Sequence, residues 1–519
     1  MANYLLISST DLDKFSSKNS ENNWYCCKPK NVKKLIKQLL SSENSDANQR
    51  FRLFHGVVIN DWPDKDELLF LMSYVDAYRV IMTKSAEVNY KYDDVKYFMK
   101  ARQVRRVDLS LSESVDWVEK YLFEHQIGSK LDISTLELTP KFNGAIEYHG
   151  FDYVNLNGNF GDDYEPLYSY RWGIHLDPNR GLDLWAELTK DITVNIRMVA
   201  YEMTVGNPFD VRRRFVINED DLLKGVTLSD LVPNGTLNIT IEAKGFGQLK
   251  VGAFHYRWSR FGIGAYLPGG IQISDSNREE LSFLFNPGDL KPPLNVYFSG
   301  YRMAEGFEGY YMMRSMKAPF ILIADPRLEG GAFYFGSKEL ENKLISKIQE
   351  KLDWLGFNDN QLIFSGSSMG TVGAFYYGSK FKPHSIIVGK PILHVGTIAK
   401  NESANRFGTF PTSLDVLQKH SNNDLLIDDQ IKTLNQRVVN QLFKHDLSET
   451  SLYMGYMKDD DYDNLVNSAL IGDEGNDINF KRIVRYGIPG RHNDDSLGLI
   501  SKWMKRQFRR ILADDFERG

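Results

Sequence analysis

The sequence is poor in cysteine, with only Cys26 and Cys27, side by side, among 519 residues. Adjacent cysteines rarely bridge each other, and no second pair completes a zinc site, so neither a disulfide scaffold nor a structural metal module is expected. No apolar run approaches the ~18 residues a membrane-spanning helix needs. The opening MANYLLISSTDLDKF lacks a basic stretch followed by a long apolar core, so no secretory signal is expected. Positive charge is not in excess either. Lys and Arg number 63 against 68 Asp and Glu, a net charge of −5, so no global basic field draws nucleic acid. These absences predict a reducing, cytoplasmic setting, with at most peripheral contact at the inner face of the membrane. No internal repeat or low-complexity tract is evident.

What is present is a globular composition, 42% hydrophobic and 25% charged, in a chain too long for one ordinary core. Three regions differ in texture. Over residues 1–135, short apolar runs (Tyr4 to Ile7, Val57 to Ile59, Arg79 to Met82) alternate with helical stripes such as Val32 to Leu40, predicting a small α/β unit. Ser112 is the expected N-cap of a further helix through Val115, Val118 and Leu122. From 140 to 260 helical periodicity fades and aromatics crowd among Gly, Asn and Asp, Tyr164 and Trp172 among them. Alternation at Ile192 to Val199, Leu237 to Ile241 and Val251 to Trp258 predicts an antiparallel β-sandwich. Such a module could bind carbohydrate, although aromatics more commonly fill cores. The stretch 259–293, with Pro268-Gly269-Gly270 and Pro287-Gly288, reads as a linker.

A regular βα alternation begins near residue 290. Leu294 to Ser299, Phe320 to Ala324, Gln361 to Phe364 and Ser385 to Val388 read as strands. Between the second and third, Ser337 caps a helix whose Leu340, Leu344, Ile348 and Leu352 form one apolar face. The pattern predicts an α/β-hydrolase domain with a mostly parallel sheet over 290–519.

Within that series the strand ending at Ser365 runs into Gly366-Ser367-Ser368-Met369-Gly370 and then a helix. Gly-x-Ser-x-Gly arises by chance about once in a few chains this rich in glycine. Its strand–turn–helix context is what marks Ser368 as a nucleophile lifted above the sheet at a helix N-terminus. A serine hydroxyl needs a base, and the base an orienting acid, which in this fold follow in the order Ser, Asp or Glu, His. Of ten histidines only His492 follows the acidic run Asp459-Asp460-Asp461, which itself follows a late strand at Leu452 to Met457. Asp459 is the first choice for the acid, with Asp460, Asp461 and Asp463 as alternatives. The oxyanion donors expected are the Met369 N–H and, from the loop Ser299-Gly300-Tyr301-Arg302, the Tyr301 N–H. No dinucleotide or phosphate-cradling motif is visible, so neither a cofactor nor an acyl donor is indicated.

Four segments together carry a resemblance: Tyr297 to Arg302, Phe364 to Thr371, Tyr456 to Asp463, and Gly490-Arg491-His492. In them, and in the order of its parts, the chain resembles the second accessory Sec system proteins of streptococci and staphylococci. That resemblance implies an O-acetyltransferase acting on N-acetylglucosamine of a serine-rich-repeat glycoprotein adhesin and also needed for its export. It implies as partners the glycosylated adhesin, two sister accessory proteins and the accessory translocase motor. In the family the acid can be a glutamate, whereas the matching segment here holds only aspartates. Two other readings compete: a non-catalytic scaffold or chaperone for the adhesin, and a plain carboxylesterase.

Overall fold

The computed structural model describes residues 2–10, 22–41, 53–89, 93–404, 410, 412–421, 426–471 and 478–518. Three sheets follow one another along the chain.

The first is five-stranded, in the order Asn23–Cys27, Asn3–Ile7, Gly56–Ile59, Val80–Met82, Arg105–Arg106, with every neighbour parallel. The helix Leu111–Tyr121 packs on it through Val118, which clusters with Tyr4, Leu6, Val58 and Ile81. Its cap is Ser110, two residues earlier than expected. Ser110 Oγ accepts the Glu113 N–H at 3.3 Å while the Glu113 carboxylate accepts the Ser110 N–H at 2.8 Å. A capping box needs Glu or Gln three residues on, which Ser110 has and Ser112, followed by Val115, lacks.

The middle region is all antiparallel, as its alternation suggested, but its strands form one ten-stranded hydrogen-bonded network. Two strands expected at Leu237 to Ile241 and Val251 to Trp258 are one, Thr236–Trp258. The intervening polar run hid it, yet pairing to Tyr153–Tyr170 continues through that run with register shifts. This long strand also pairs with Val194–Thr204 and Leu182–Lys190, which joins what would otherwise be separate sheets. Tyr168, Tyr170 and Phe160 are buried in the shared core, whereas Trp172 is 64% exposed.

The third sheet has eight strands, in the order Gly270–Ser274, Glu280–Asn286, Phe320–Ala324, Leu294–Phe298, Leu362–Ser367, Ser385–Gly389, Ser451–Met457, Arg482–Ile488. From Phe320–Ala324 onward the neighbours are parallel. The first two strands come from the stretch read as a linker. The Pro-Gly signals there bound strands rather than replace them, and Glu280–Asn286 is buried along its whole length. The helix Lys338–Leu355 begins at Ser337, whose Oγ accepts the Leu340 N–H at 3.1 Å, and ends at Gly356 in the left-handed region. Among the described residues no helix is long and apolar enough to cross a membrane.

Candidate active site

The strand Leu362–Ser367 lies between Leu294–Phe298 and Ser385–Gly389, and the chain turns at Ser368 into the helix Met369–Gly378. Ser368 has φ 53° and ψ −123°, a conformation an L-residue adopts only where its surroundings impose it. Two glycines allow the turn. A Cβ on Gly366 would lie 2.3 Å from the Gly370 carbonyl oxygen, and one on Gly370 would lie 2.2 Å from that of Phe298. The Ser368 N–H is tied to the Gly389 carbonyl at 2.8 Å, so the neighbouring strand fixes the turn from the other side.

Across from Ser368 stands His492, on the loop after Arg482–Ile488 and only 1% exposed. Ser368 Oγ and His492 Nε2 are 2.8 Å apart. His492 Nδ1 is 2.9 Å from Asp460 Oδ2. With the Nδ1 proton donated to a carboxylate, Nε2 is left as the acceptor facing the serine hydroxyl. That geometry lets the imidazole take the hydroxyl proton as the oxygen attacks a carbon.

The first-choice acid, Asp459, does not face the imidazole. Its Oδ2 accepts the Gly490 N–H at 3.1 Å, and its own N–H donates to the Gly490 carbonyl, also at 3.1 Å. Asp461 accepts the His492 backbone N–H at 3.1 Å. Asp463 accepts the N–H groups of Leu393 and His394 at 2.7 and 2.8 Å, fixing a different loop. Of these four only Asp460 meets the imidazole; it is 8% exposed, its Oδ1 accepting the Tyr462 and Asp463 N–H groups at 2.9 and 3.2 Å. The strand ends at Met457, and the turn that follows sends successive side chains in different directions. The carboxylate that meets the imidazole is therefore that of Asp460, one residue after the first choice.

Ser368 opens onto a cavity of about 540 Å³ lined by Gly300, Tyr301, Arg302, Glu308, Lys390 and Tyr462, among others. Met369 is the first residue of its helix, where an N–H has no intrahelical acceptor. Among the described residues neither the Met369 nor the Tyr301 N–H meets an acceptor, whereas the Gly300 N–H is taken by Glu308 at 2.7 Å. Arg302 lines the cavity but also donates to the Phe307 carbonyl at 3.0 Å. A larger cleft of about 870 Å³ lies elsewhere, between Tyr4 and Arg180, and takes in none of the serine–histidine–aspartate series.

Sequence reasoning missed two neighbours. Tyr462 stacks on His492, ring centroids 4.2 Å apart and planes at 23°, and its hydroxyl accepts a hydrogen bond from Asn493 at 3.1 Å. Tyr462 stands two residues from the acid, but nothing in the linear order tells which way its ring turns. Lys390, beside the elbow, also has positive φ, 51°, and its N–H donates to the Gly455 carbonyl at 2.7 Å.

Fold and site together define a mixed α/β protein with a hydrogen-bonded serine, histidine and aspartate at one end of its C-terminal sheet. The family model described as Accessory Sec system GspB-transporter matches residues 3–518. The chain is 35% identical over 496 residues to the second accessory Sec system protein of Streptococcus gordonii, covering 95% of this chain and 94% of that one. With its counterpart in Staphylococcus aureus (strain NCTC 8325 / PS 47) it shares 38% identity over 433 residues, 83% of this chain and 81% of the other. Among solved structures it is similar to a chain of the Glycosylation Associate Protein (Gap123) complex from Streptococcus agalactiae. There the TM-score is 0.84 at 34% identity, over 100% of this chain and 99% of that one. The chain belongs to the family of second accessory Sec system proteins.

Proposed function

We propose that this protein is a serine O-acetyltransferase of the α/β-hydrolase type, which acetylates N-acetylglucosamine on a serine-rich-repeat adhesin exported by the accessory Sec system. The observation that carries the reading is the 2.8 Å approach of Ser368 Oγ to His492 Nε2, with Asp460 behind the imidazole. His492 takes the Ser368 proton as Oγ attacks the acetyl carbonyl of the donor. The Met369 and Tyr301 N–H groups receive the developing oxyanion. Collapse expels the donor's leaving group, which carries off the proton from His492 and leaves Ser368 acetylated. A sugar hydroxyl then gives its proton to His492 and attacks the acetyl group, and His492 passes that proton to the departing Ser368 Oγ, regenerating the free serine. Asp460 holds the tautomer that leaves Nε2 as the acceptor facing Ser368.

The family relationship supports a place in adhesin export in the cytoplasm, with the sister accessory proteins and the translocase motor as partners. The test is mass spectrometry of adhesin glycans from cells carrying the wild-type protein or Ser368→Ala. Acetylated N-acetylglucosamine should disappear in the variant; its persistence at wild-type levels would sink the proposal.

A further inference from the structure

We infer that the middle antiparallel unit is a working part of the catalytic apparatus, with Gln126 and the buried His255–Glu305 pair as positioning residues that hold the Tyr301 N–H against Ser368. The inference rests on the reading of Ser368 as nucleophile and adds to it a role for residues far from the reacting atoms.

The loop 299–309 leaves the strand Leu294–Phe298 and has no regular structure until the helix Tyr310–Arg314. Its first half lines the cavity in front of Ser368 through Gly300, Tyr301 and Arg302. Its second half is gripped from outside the C-terminal sheet. Gln126 makes a reciprocal pair with Phe307: its Nε2 donates to the Phe307 carbonyl at 2.7 Å, and its Oε1 accepts the Phe307 N–H at 2.9 Å. The Glu305 N–H donates to the carbonyl of Gly128, the first residue of a strand in the middle unit, at 3.0 Å.

The Glu305 side chain is then locked. Its Oε1 meets His255 Nδ1 at 2.5 Å, and its Oε2 accepts the Tyr266 hydroxyl at 2.6 Å. His255 belongs to the long strand Thr236–Trp258 and donates its other nitrogen to Glu187 at 3.0 Å. His255 is 0% and Glu305 4% exposed, so neither ion can shed its partner without stranding a buried charge.

Such anchoring matters because the loop is intrinsically loose. Gly306 and Gly309 both sit at positive φ, and an unbraced loop of this composition would sample many backbone states. An oxyanion donor works only when it is already in place, and a misplacement of about 1 Å costs on the order of 10²-fold in rate. The Arg302 guanidinium, donating to the same Phe307 carbonyl that Gln126 holds, links the gripped half of the loop to the catalytic half.

The experiment compares the full-length wild type with Gln126→Ala, measuring hydrolysis of a small activated acetyl ester and phosphonylation of Ser368 by a fluorophosphonate. The variant should lose about 10- to 100-fold in kcat with KM within about threefold. Phosphonylation should slow by a similar factor, because the phosphoryl oxygen uses the same donors. The pH midpoint of the rate profile should not move. Gln126→Glu keeps the chain length and the bond to the Phe307 N–H, should fold even where the alanine variant does not, and should react at an intermediate rate. Ile192→Ala, at an exposed turn of the middle unit, should match the wild type. Wild-type kcat and phosphonylation rate in folded Gln126→Ala or Gln126→Glu would overturn the inference. A wild-type protein that neither hydrolyses the ester nor is phosphonylated at Ser368 would instead overturn the nucleophile reading beneath it.

Discussion

Asp460 Oδ2 lies 2.9 Å from His492 Nδ1, and the two residues on either side of Asp460 direct their carboxylates to backbone N–H groups instead. Three adjacent aspartates thus do three different things. Asp460→Asn presents an amide that can donate to Nδ1, which favours the tautomer with its proton on Nε2 and so removes the base. Its kcat for ester hydrolysis or acetyl transfer should fall by about 10³- to 10⁴-fold. Asp459→Asn keeps an acceptor for the Gly490 N–H and should stay within about threefold of wild type. Equal losses in the two variants, measured side by side, would show that the register is wrong.

Ser368→Ala and His492→Ala should be about equally damaging, and the double variant scarcely worse than either. Nucleophile and base act as one unit, so removing one leaves the other nothing to do. Ser368→Ala deletes a single hydroxyl at the cavity wall and should leave the thermal unfolding midpoint within a few degrees of wild type. A double variant whose loss equals the product of the single losses would show that the two residues do not act together.

The βα series and the serine elbow were legible in the sequence because each has a one-dimensional signature. A period of 3.6 marks Leu340 to Leu352, an apolar run marks Leu362 to Phe364, and small residues flank Ser368 at fixed offsets. The acid was legible only to a cluster, because the direction of each carboxylate depends on turn dihedrals that three identical residues do not report. The strands at Gly270–Ser274 and Glu280–Asn286 were obscured by Pro-Gly dipeptides at their borders, which are equally the mark of a linker. The grip of Gln126 on Phe307 spans 181 positions of sequence and leaves no local trace.

The buried His255 cluster should make stability depend on pH at both ends of the range. Burial alone would depress the His255 imidazole, but Glu305 and Glu187 outweigh it and lift the value to about 9. Its contribution is complete below the unfolded value of about 6.5 and is lost as pH rises through about 9. For Glu305, burial works upward, but His255, Lys130 and Arg257 together outweigh it and hold the carboxyl at about 2. That contribution is present above the unfolded value of about 4.3 and is lost as pH falls toward about 2. Urea unfolding of the wild type should therefore show declining stability between about pH 6.5 and 9, and a shallower decline for His255→Gln. Identical slopes for the two proteins would remove His255 from the account.

Acetylation and export should be separable. The proposed acetyl transfer needs Ser368, His492 and Asp460, whereas delivering a glycosylated chain to a translocase needs surface. The exposed aromatic surface of the middle unit does not coincide with the catalytic cavity. Trp172 is 64% and Tyr148 58% exposed, and neither lines the space in front of Ser368. Tyr164, a sequence-level candidate for sugar contact, is a poorer choice, because the Arg197 and Lys244 side chains approach its ring at 4.5 and 4.8 Å. A free aromatic face suits the apolar face of a pyranose ring; one already occupied by cations does not. Trp172→Ala should thus weaken engagement of glycosylated adhesin, raising KM for that substrate several-fold, while hydrolysis of a small activated ester stays unchanged. Ser368→Ala should do the reverse, leaving much of the adhesin export in place with sugars that lack acetyl groups. Secretion of adhesin and hydrolysis of the small ester, measured for both variants in parallel, distinguish the two roles. Should Ser368→Ala block secretion as completely as deletion of the whole protein, the roles are one and the chemistry itself gates transport.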